Sequence, residues 1–293
     1  MKGVYTALVT PFTEDKKIDW EGLKRIFQYQ SKQKVTGLVI GGTTAETATL
    51  SSDEKKELFR FAKKETASFG FDLVAGTGTN NTHESIEWTK ICADLGYEKF
   101  LVVTPYYNKP NQRGLVEHFK AIAASTKGDL VLYNVPGRAV ISFTPETVAE
   151  LAEIRNITAI KEASGNMTFA SELIQQVKTP TFNFLSGDDP TYFPFLCLGG
   201  GGAISVLSHL FGDQMEKMTA HVRGGKWVEA RAIHEKIFPL SQAIFLESNP
   251  TPIKWLLAEL GLIRADVRLP LVMISSETEK KLKPYLAELK DRF

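Results

Sequence analysis

Short apolar runs rich in β-branched residues alternate with longer amphipathic segments eight times along this chain. Several runs, such as 100–103 and 130–132, are apolar at every position, which is typical of parallel strands covered on both faces. Eight strand-then-helix units within about 225 residues predict an α/β fold, a (β/α)8 TIM barrel. The predicted strands are Val4–Thr10, Gly37–Gly41, Asp72–Gly76, Lys99–Thr104, Asp129–Asn134, Ile157–Lys161, Phe182–Gly187 and Ala203–Leu207.

Residues that favour helix N-termini precede several of the amphipathic segments, because their side chains accept hydrogen bonds from free backbone N–H groups. After Arg223 the β pattern ends, and only helical segments follow, over 226–247, 253–260 and about 276–290. We therefore expect a barrel with the active site in residues 1–225 and a C-terminal helical region in residues 226–293. The helices predicted within the barrel are Trp20–Lys34, one from Ser51 to about Ala67, one that follows Asn81–Thr82 and runs to Leu95, and one that Thr144 and Pro145 open and that runs to Ile154.

An open, doubly wound sheet is the competing architecture for such an alternation. A sheet of that kind normally carries a glycine-rich nucleotide turn. The nearest match is Gly76–Thr77–Gly78, which lacks the third glycine. The sequence therefore favours the barrel, in which catalytic groups emerge from the carboxyl ends of the strands.

Charge and composition argue against several classes of function. The formal net charge of +1 gives no support for binding to nucleic acid or to an acidic membrane surface. No apolar stretch is long enough to span a bilayer, and we expect no signal peptide before the strand-like start. Cys92 and Cys197 lack a CxxC pattern and are expected to be buried free thiols of a cytoplasmic protein. The histidine spacing indicates no metal site, and we expect no cofactor.

Lys161 ends the apolar run 157–160 and is followed by turn residues. Because an ammonium at the inner end of such a strand is costly to desolvate, we expect its pKa to fall. A lysine with a lowered pKa attacks carbonyl carbon and forms Schiff bases. The alternative for a single strand-end lysine is that it snorkels into solvent. The residues around Lys161 decide between the two interpretations.

Chemically useful residues gather at the carboxyl ends of the predicted strands, where a barrel builds its active site. A Schiff-base lysine needs a nearby hydroxyl that passes protons while the carbinolamine and enamine form. A phenol and a threonine hydroxyl, linked to solvent by a second phenol, suit this task, and a guanidinium suits a substrate carboxylate. The segments concerned are 41–46, 104–108, 133–138, 161–162 and 186–189, with the glycine run 199–202 before Ile204.

Each of these groups also has a purely structural interpretation. Tyr133 alone could be a core tyrosine, and Arg138 alone a solvent-exposed loop residue. The tyrosines at 106 and 107 lie between prolines and could form a packed or interface pair. The glycine run could bind phosphate or allow a strand and a helix to approach closely. The coincidence of all these groups at one end of a barrel favours the catalytic interpretation.

Four motifs make the chain resemble the dihydrodipicolinate synthase (4-hydroxy-tetrahydrodipicolinate synthase) family, in the N-acetylneuraminate lyase superfamily of class I aldolases. They are Gly42–Glu46, Thr104–Asn108, Tyr133–Arg138 and Ile160–Asn166, and the resemblance extends from Thr6–Phe12 to Asn249–Lys254. It implies a lyase that condenses pyruvate with L-aspartate 4-semialdehyde in lysine and diaminopimelate biosynthesis. It also implies a homo-oligomer, at least a dimer, with a tetramer built as a dimer of dimers as the usual assembly.

The resemblance implies catalytic roles for four residues of this chain. Lys161 would form the Schiff base with pyruvate, and Tyr133 would donate and accept protons beside it. Thr43 would link Tyr133 to Tyr107, which in this family reaches in from the neighbouring subunit. The smallest complete catalytic unit would then be a dimer.

Substrate-binding residues are implied in the same way. Thr44 and Ile204 would contact pyruvate, Gly187 would belong to the same site, and Arg138 would bind the carboxylate of aspartate semialdehyde. A pyruvate-dependent sugar-acid lyase or aldolase of the same superfamily is the alternative, with the same lysine and tyrosine chemistry. Arg138 favours the shorter, carboxylated aldehyde.

Two further functions stay as alternatives on the residues alone. A non-catalytic barrel that binds a small acid would be expected to lack the lysine or the tyrosines, and both are present. A phosphate-handling barrel rests only on the glycine run 199–202, which has no basic residue beside it.

Ala45 departs from the family pattern, because glycine usually stands before the glutamate that corresponds to Glu46. If the turn needs a positive φ at this position, alanine is disfavoured there. A second departure concerns the lysine-feedback site of some members. Asn80, Glu84 and Tyr106 match that site, but Ser52 and Lys55 replace two histidines of lysine-sensitive members. Because Lys55 is basic, we expect weak or absent inhibition by lysine.

Overall fold

Eight parallel strands close into one barrel in the order of the sequence, which confirms the predicted TIM barrel. The structure is a computed structural model that describes residues 1–292. The first strand pairs with both the second and the eighth, so the sheet has no free edge. The strands are β1 Gly3–Ala7, β2 Gly37–Ile40, β3 Asp72–Gly76, β4 Lys99–Val103, β5 Asp129–Asn134, β6 Ile157–Glu162, β7 Asn183–Ser186 and β8 Gly202–Ser205.

Strands β3 and β5 have the predicted bounds, whereas β1 ends earlier than its apolar run suggests. The last pair of the ladder between β1 and β2 joins Ala7 to Val39, and Leu8 then donates one more backbone hydrogen bond to Val39. Beyond this point the chain leaves the barrel, yet it stays buried through Phe12. The run is apolar because it is buried, and this apolar pattern predicted a longer strand. No ladder of hydrogen bonds continues along it.

Helices follow the strands and cover the outside of the barrel, and the predicted N-terminal caps are present. The side chains of Asp19, Ser51, Asn81 and Thr144 each accept a backbone N–H of the helix that follows. The helices are α1 Trp20–Lys32, α2 Ser52–Glu65, α3 Thr82–Asp94, α4 Gln112–Ala124, α5 Pro136–Ala139, α6 Pro145–Ala152, α7 Met167–Gln176, α8 Tyr192–Cys197, α9 Ser208–Arg223, α10 Trp227–Ala243, α11 Thr251–Glu259, α12 Ser276–Leu282 and α13 Leu286–Asp291.

The C-terminal helices differ in detail from their predicted bounds. Helix α10 ends at Ala243, four residues before the predicted end, and α11 begins at Thr251 with a proline in its first turn. The single helix expected over 276–290 is interrupted by a 3-10 turn at Lys283–Tyr285. This turn contains a proline, which has no N–H to continue the α-helical hydrogen bonds. Among residues 1–292, no helix is both long and apolar enough to cross a membrane.

Two apolar cores lie on the two faces of the barrel wall. One fills the barrel and includes Val131, Tyr133 and Ala159, whereas Leu132 and Ile160 belong to the core between strands and helices. Side chains of a strand alternate between its faces, so Tyr133 and Lys161 both point into the barrel.

The prediction that both cysteines are buried was wrong for Cys197. Cys92 is buried, whereas Cys197 is exposed at the C-terminal end of α8. This helix is only six residues long, and its buried residues are Tyr192, Phe195 and Leu196. Its apolar composition suggested full burial, but one face of the short helix is open to solvent.

Candidate active site

Lys161 and Tyr133 lie side by side on neighbouring strands. They are directly opposite each other in the ladder between β5 and β6. The ammonium of Lys161 lies 4.2 Å from the centre of the Tyr133 ring. Only 6% of Lys161 and 7% of Tyr133 are exposed. A snorkelling lysine would have its charged end in water, so the burial of Lys161 favours the interpretation as a Schiff-base lysine.

Gly187 follows β7 and leaves room for the lysine. A Cβ atom at this position would lie 2.7 Å from Cε of Lys161 and 2.7 Å from Cβ of Ala163. Any side chain here would therefore displace Lys161. Ile204 is buried together with Tyr133 in the core that fills the barrel, so both lie on the same side of the barrel wall.

The turn after β2 brings Thr43 and Thr44 to this end of the barrel. It forms a 3-10 turn over Thr43–Ala45, in which Thr44 is buried and Thr43 is exposed. Positive φ falls on Glu46, at 54°, and Ala45 adopts the 3-10 conformation. Alanine is therefore compatible with this turn, and the concern raised by the sequence does not arise.

Two residues of the C-terminal region hold the same turn. The side-chain amide of Asn249 donates a hydrogen bond of 2.9 Å to the hydroxyl of Thr44. Lys254 and Glu46 form a buried ion pair, in which burial lowers the pKa of Lys254 to about 8 while Glu46 opposes that shift. The motif Asn249–Lys254 is visible in the sequence, but it indicates a role for neither residue. The contacts join residues more than 200 positions apart, and the sequence carries no other signal of them.

Arg138 lies in the short helix α5, directly after the strand that carries Tyr133. Its guanidinium is exposed and approaches the backbone oxygen of Asn249 at 3.5 Å. Among residues 1–292, Arg138 forms no ion pair with an acidic side chain, so its donors are available to a ligand carboxylate.

A cavity of about 560 Å³ opens beside these residues. Its lining includes Thr43, Tyr133, Arg138 and Asn249. Lys161 and Thr44 do not line the cavity, but each contacts a residue that does. The cavity is therefore open to a small ligand next to the lysine and tyrosine pair.

Two of the residues expected at a regulatory site line the same cavity. Glu84 and Tyr106 face it together with Lys55, whose ammonium lies 5.2 Å from the centre of the Trp88 ring. Burial lowers the pKa of Lys55 against the opposing effect of Glu84. Burial also raises the pKa of the Tyr106 phenol, and Glu84 adds to that shift. Asn80 lies nearby and donates a hydrogen bond of 3.2 Å to the backbone oxygen of Tyr106.

Tyr107 is the predicted catalytic residue that the single chain does not bring to the site. It is 90% exposed and has a φ of 74°, a backbone conformation that is rare outside glycine. Its neighbour Tyr106 faces the cavity instead.

Among residues 1–292, no group of three or more metal-binding side chains comes together.

Comparison with known proteins gives one consistent result. The model of the dihydrodipicolinate synthetase family matches residues 1–289. The chain is 42% identical to a 4-hydroxy-tetrahydrodipicolinate synthase of Methanothrix thermoacetophila, over 99% of this chain and 97% of that protein. A monomeric dihydrodipicolinate synthase variant has a TM-score of 0.95 and 37% identity, over 99% of this chain and 97% of the other. A dihydrodipicolinate synthase of Cyanidioschyzon merolae with lysine bound has a TM-score of 0.94 and 40% identity, over 98% of this chain and 97% of the other.

Proposed function

This chain belongs to the dihydrodipicolinate synthetase family, and we propose that its Lys161 carries pyruvate as a Schiff base. The chain is a lyase that condenses pyruvate with L-aspartate 4-semialdehyde to 4-hydroxy-tetrahydrodipicolinate, in lysine and diaminopimelate biosynthesis. The observation that carries the residue assignment is the buried ammonium of Lys161, 4.2 Å from the centre of the Tyr133 ring. No other charged group is needed for the proton transfers.

The first half of the reaction activates pyruvate. The amine of Lys161 attacks the ketone carbon, and the resulting carbinolamine loses its oxygen as water to leave an iminium ion. Loss of a proton from the methyl carbon then gives the enamine. The Tyr133 phenol donates and accepts the protons of these steps, and Thr43 connects it to the next phenol.

The second half forms the carbon–carbon bond. The enamine carbon attacks the aldehyde carbon, whose oxygen takes up a proton and becomes a hydroxyl. The amino group of the aspartate-derived part then attacks the iminium carbon. This closes the ring and releases the amine of Lys161 for another cycle.

Substrate binding is assigned to four residues. Arg138 binds the carboxylate of aspartate semialdehyde, and its exposed guanidinium beside the cavity supports this assignment. Thr44 and Ile204 contact pyruvate, and Gly187 keeps the space beside Lys161 free. The close approach of Gly187 to Lys161 supports its inclusion.

The complete site needs a second copy of the chain, which supplies Tyr107. The exposed phenol of Tyr107 and its absence from the cavity lining support this assignment. The chain then acts as a homo-oligomer, at least a dimer, with a tetramer as the expected assembly. One solved relative is a monomeric variant, so the number of chains in the assembly has to be measured in solution.

Three further assignments belong to the same proposal. Asn80, Glu84 and Tyr106 belong to a regulatory site in which Lys55 weakens lysine binding. The barrel is assigned to residues 1–225 and the helical region to residues 226–293. The protein acts in the cytoplasm, in keeping with the biosynthetic role of its family.

A coupled assay that offers pyruvate with either of two aldehydes tests the substrate assignment. We expect turnover with aspartate semialdehyde and at most slight turnover with N-acetylmannosamine. Arg138→Gln should raise the KM for aspartate semialdehyde and leave the KM for pyruvate nearly unchanged. A clear preference for N-acetylmannosamine would instead indicate the sugar-acid lyase.

A further inference from the structure

Asn134 and Glu162 directly follow Tyr133 and Lys161 and form a bridge of their own. The two residues are opposite each other in the ladder between β5 and β6. The amide nitrogen of Asn134 donates a hydrogen bond of 2.6 Å to Oε2 of Glu162, and both residues are buried. Because strand side chains alternate, this bridge lies on the opposite face of the barrel wall from the lysine and tyrosine pair.

Both ends of the bridge are held by further hydrogen bonds. Oε1 of Glu162 accepts a hydrogen bond of 2.5 Å from the backbone N–H of Ser164. Oδ1 of Asn134 accepts hydrogen bonds from the Ser142 hydroxyl at 3.1 Å and from the Phe143 N–H at 3.2 Å. The bridge therefore links the ends of two strands to the segment that follows Arg138.

Burying a carboxylate in this place costs free energy. Burial raises the pKa of Glu162, whereas the hydrogen bonds from Ser164 and Asn134 oppose that shift. Apolar residues of similar volume often stabilise a fold as well as a buried polar pair does. A polar bridge in this position is therefore better explained by the geometry that it imposes than by stability alone.

We infer that the bridge between Asn134 and Glu162 positions the reacting groups. It fixes the spacing of Lys161 and Tyr133. It also anchors the segment that follows Arg138, and so it helps to hold Arg138 in place. Neither side chain lines the cavity, so both are positioning residues that act through their neighbours. This inference rests on the proposed function.

Exchanging the two polar groups tests the inference without changing the net charge. Glu162→Gln places an amide NH2 group opposite the NH2 group of Asn134. Asn134→Asp places a carboxylate opposite the carboxylate of Glu162. In the double variant, the amide nitrogen at position 162 can donate to the carboxylate at position 134. The remaining oxygens can still accept the hydrogen bonds from Ser142, Phe143 and Ser164.

The expected readout is kcat, measured for each variant below its unfolding temperature. Each single variant should lose about 10- to 100-fold in kcat, because a displacement of about 1 Å is enough for such a loss. The double variant should recover most of that loss. Single variants that keep at least half of the parental kcat would overturn the inference. A double variant that loses as much as both single variants together would also overturn it.

Asn156 provides a matched control at the opposite end of the same strands. Its amide donates hydrogen bonds to the backbone oxygens of Ala123, Thr126 and Gly128. Asn156→Ser should lower the unfolding temperature and leave kcat unchanged. If Asn156→Ser loses as much kcat as the bridge variants, general destabilisation rather than positioning explains their loss of kcat.

Ser142→Ala keeps the inference testable if a single bridge variant fails to fold. It removes only the hydroxyl that donates to Asn134, so it should raise the KM for aspartate semialdehyde several-fold. The rate of borohydride trapping with pyruvate should stay the same. An unchanged KM would contradict the anchoring of the Arg138 segment. If the parent protein itself traps no pyruvate on Lys161, the proposed function has failed, whatever these variants do.

Discussion

The ammonium of Lys254 in α11 lies 2.5 Å from Oε1 of Glu46, and both side chains are at most 1% exposed. Glu46 directly follows the turn that carries Thr43 and Thr44, and its second oxygen accepts a hydrogen bond of 2.9 Å from the Arg268 N–H. The C-terminal region thus contributes to the active-site end of the barrel through a buried charge pair.

Lys254→Met should be strongly destabilising, because it leaves the carboxylate of Glu46 buried without a cation. Removing one partner of a buried pair typically costs about 3–5 kcal/mol. Urea unfolding followed by circular dichroism measures the change. Lys24→Met is the matched control, since Lys24 pairs with Glu21 on the surface and should matter far less. A loss below about 1 kcal/mol for Lys254→Met would contradict this account.

The two buried histidines should each contribute a loss of stability as the pH drops from about 6.5 towards 4. Burial lowers the pKa of His209 and of His118 to about 4. Nδ1 of His209 donates to the Val206 oxygen, and Nε2 accepts from the Val9 N–H, so the neutral ring fits this position. In this window the unfolded chain binds protons that the folded chain does not, which costs at most about 1.4 kcal/mol per pH unit for each histidine.

His209→Gln isolates one of these two contributions. As the pH drops from 6.5 to 5, the free energy of unfolding should lose less in the variant than in the parent, because the variant lacks the His209 contribution. Between pH 7.5 and 9 the two proteins should show the same slope. Equal slopes in the acidic window would rule out His209 as the cause.

Tyr107→Phe should lower kcat by about 100-fold or more, because it removes a hydroxyl from the proton relay. Mixing this variant with Lys161→Ala tests whether the phenol comes from a second copy. In a mixed dimer, the subunit that retains Lys161 would receive an intact Tyr107 from its partner. Random exchange should then restore about a quarter of the parental activity. No recovery in verified mixed dimers would show that Tyr107 acts within its own chain.

Lysine should inhibit this protein weakly. Lys55 lines the same cavity as Glu84 and is close enough to it for Glu84 to affect its pKa, so its ammonium repels a second cation there. Lys55→Gln should therefore strengthen inhibition, measured as the lysine concentration that halves the rate. Lys56→Gln changes the net charge equally and does not line the cavity, so it should have no such effect. An inhibition constant of the parent well below millimolar would contradict the prediction.

The alternation of apolar patterns was sufficient to predict the barrel, and the strand ends were sufficient to predict where Lys161 and Tyr133 meet. The hydrogen bond from Asn249 to Thr44 and the ion pair of Lys254 with Glu46 were not predictable. They join residues 205 and 208 positions apart, and local patterns carry no signal of such contacts. The exposure of Cys197 was missed for a related reason, because composition does not show which face of a short helix is covered.

Lys254 is also the most direct rival of Lys161, since it is a second buried lysine and its pKa is lowered to about 8. Its ammonium, however, is already bound by Glu46 and by the backbone oxygen of Asp266. The decisive measurement is peptide mapping by mass spectrometry after treatment with pyruvate and borohydride. We predict one stable adduct, on Lys161, which is lost in Lys161→Ala. An adduct on Lys254, or an adduct that persists in Lys161→Ala, would contradict it.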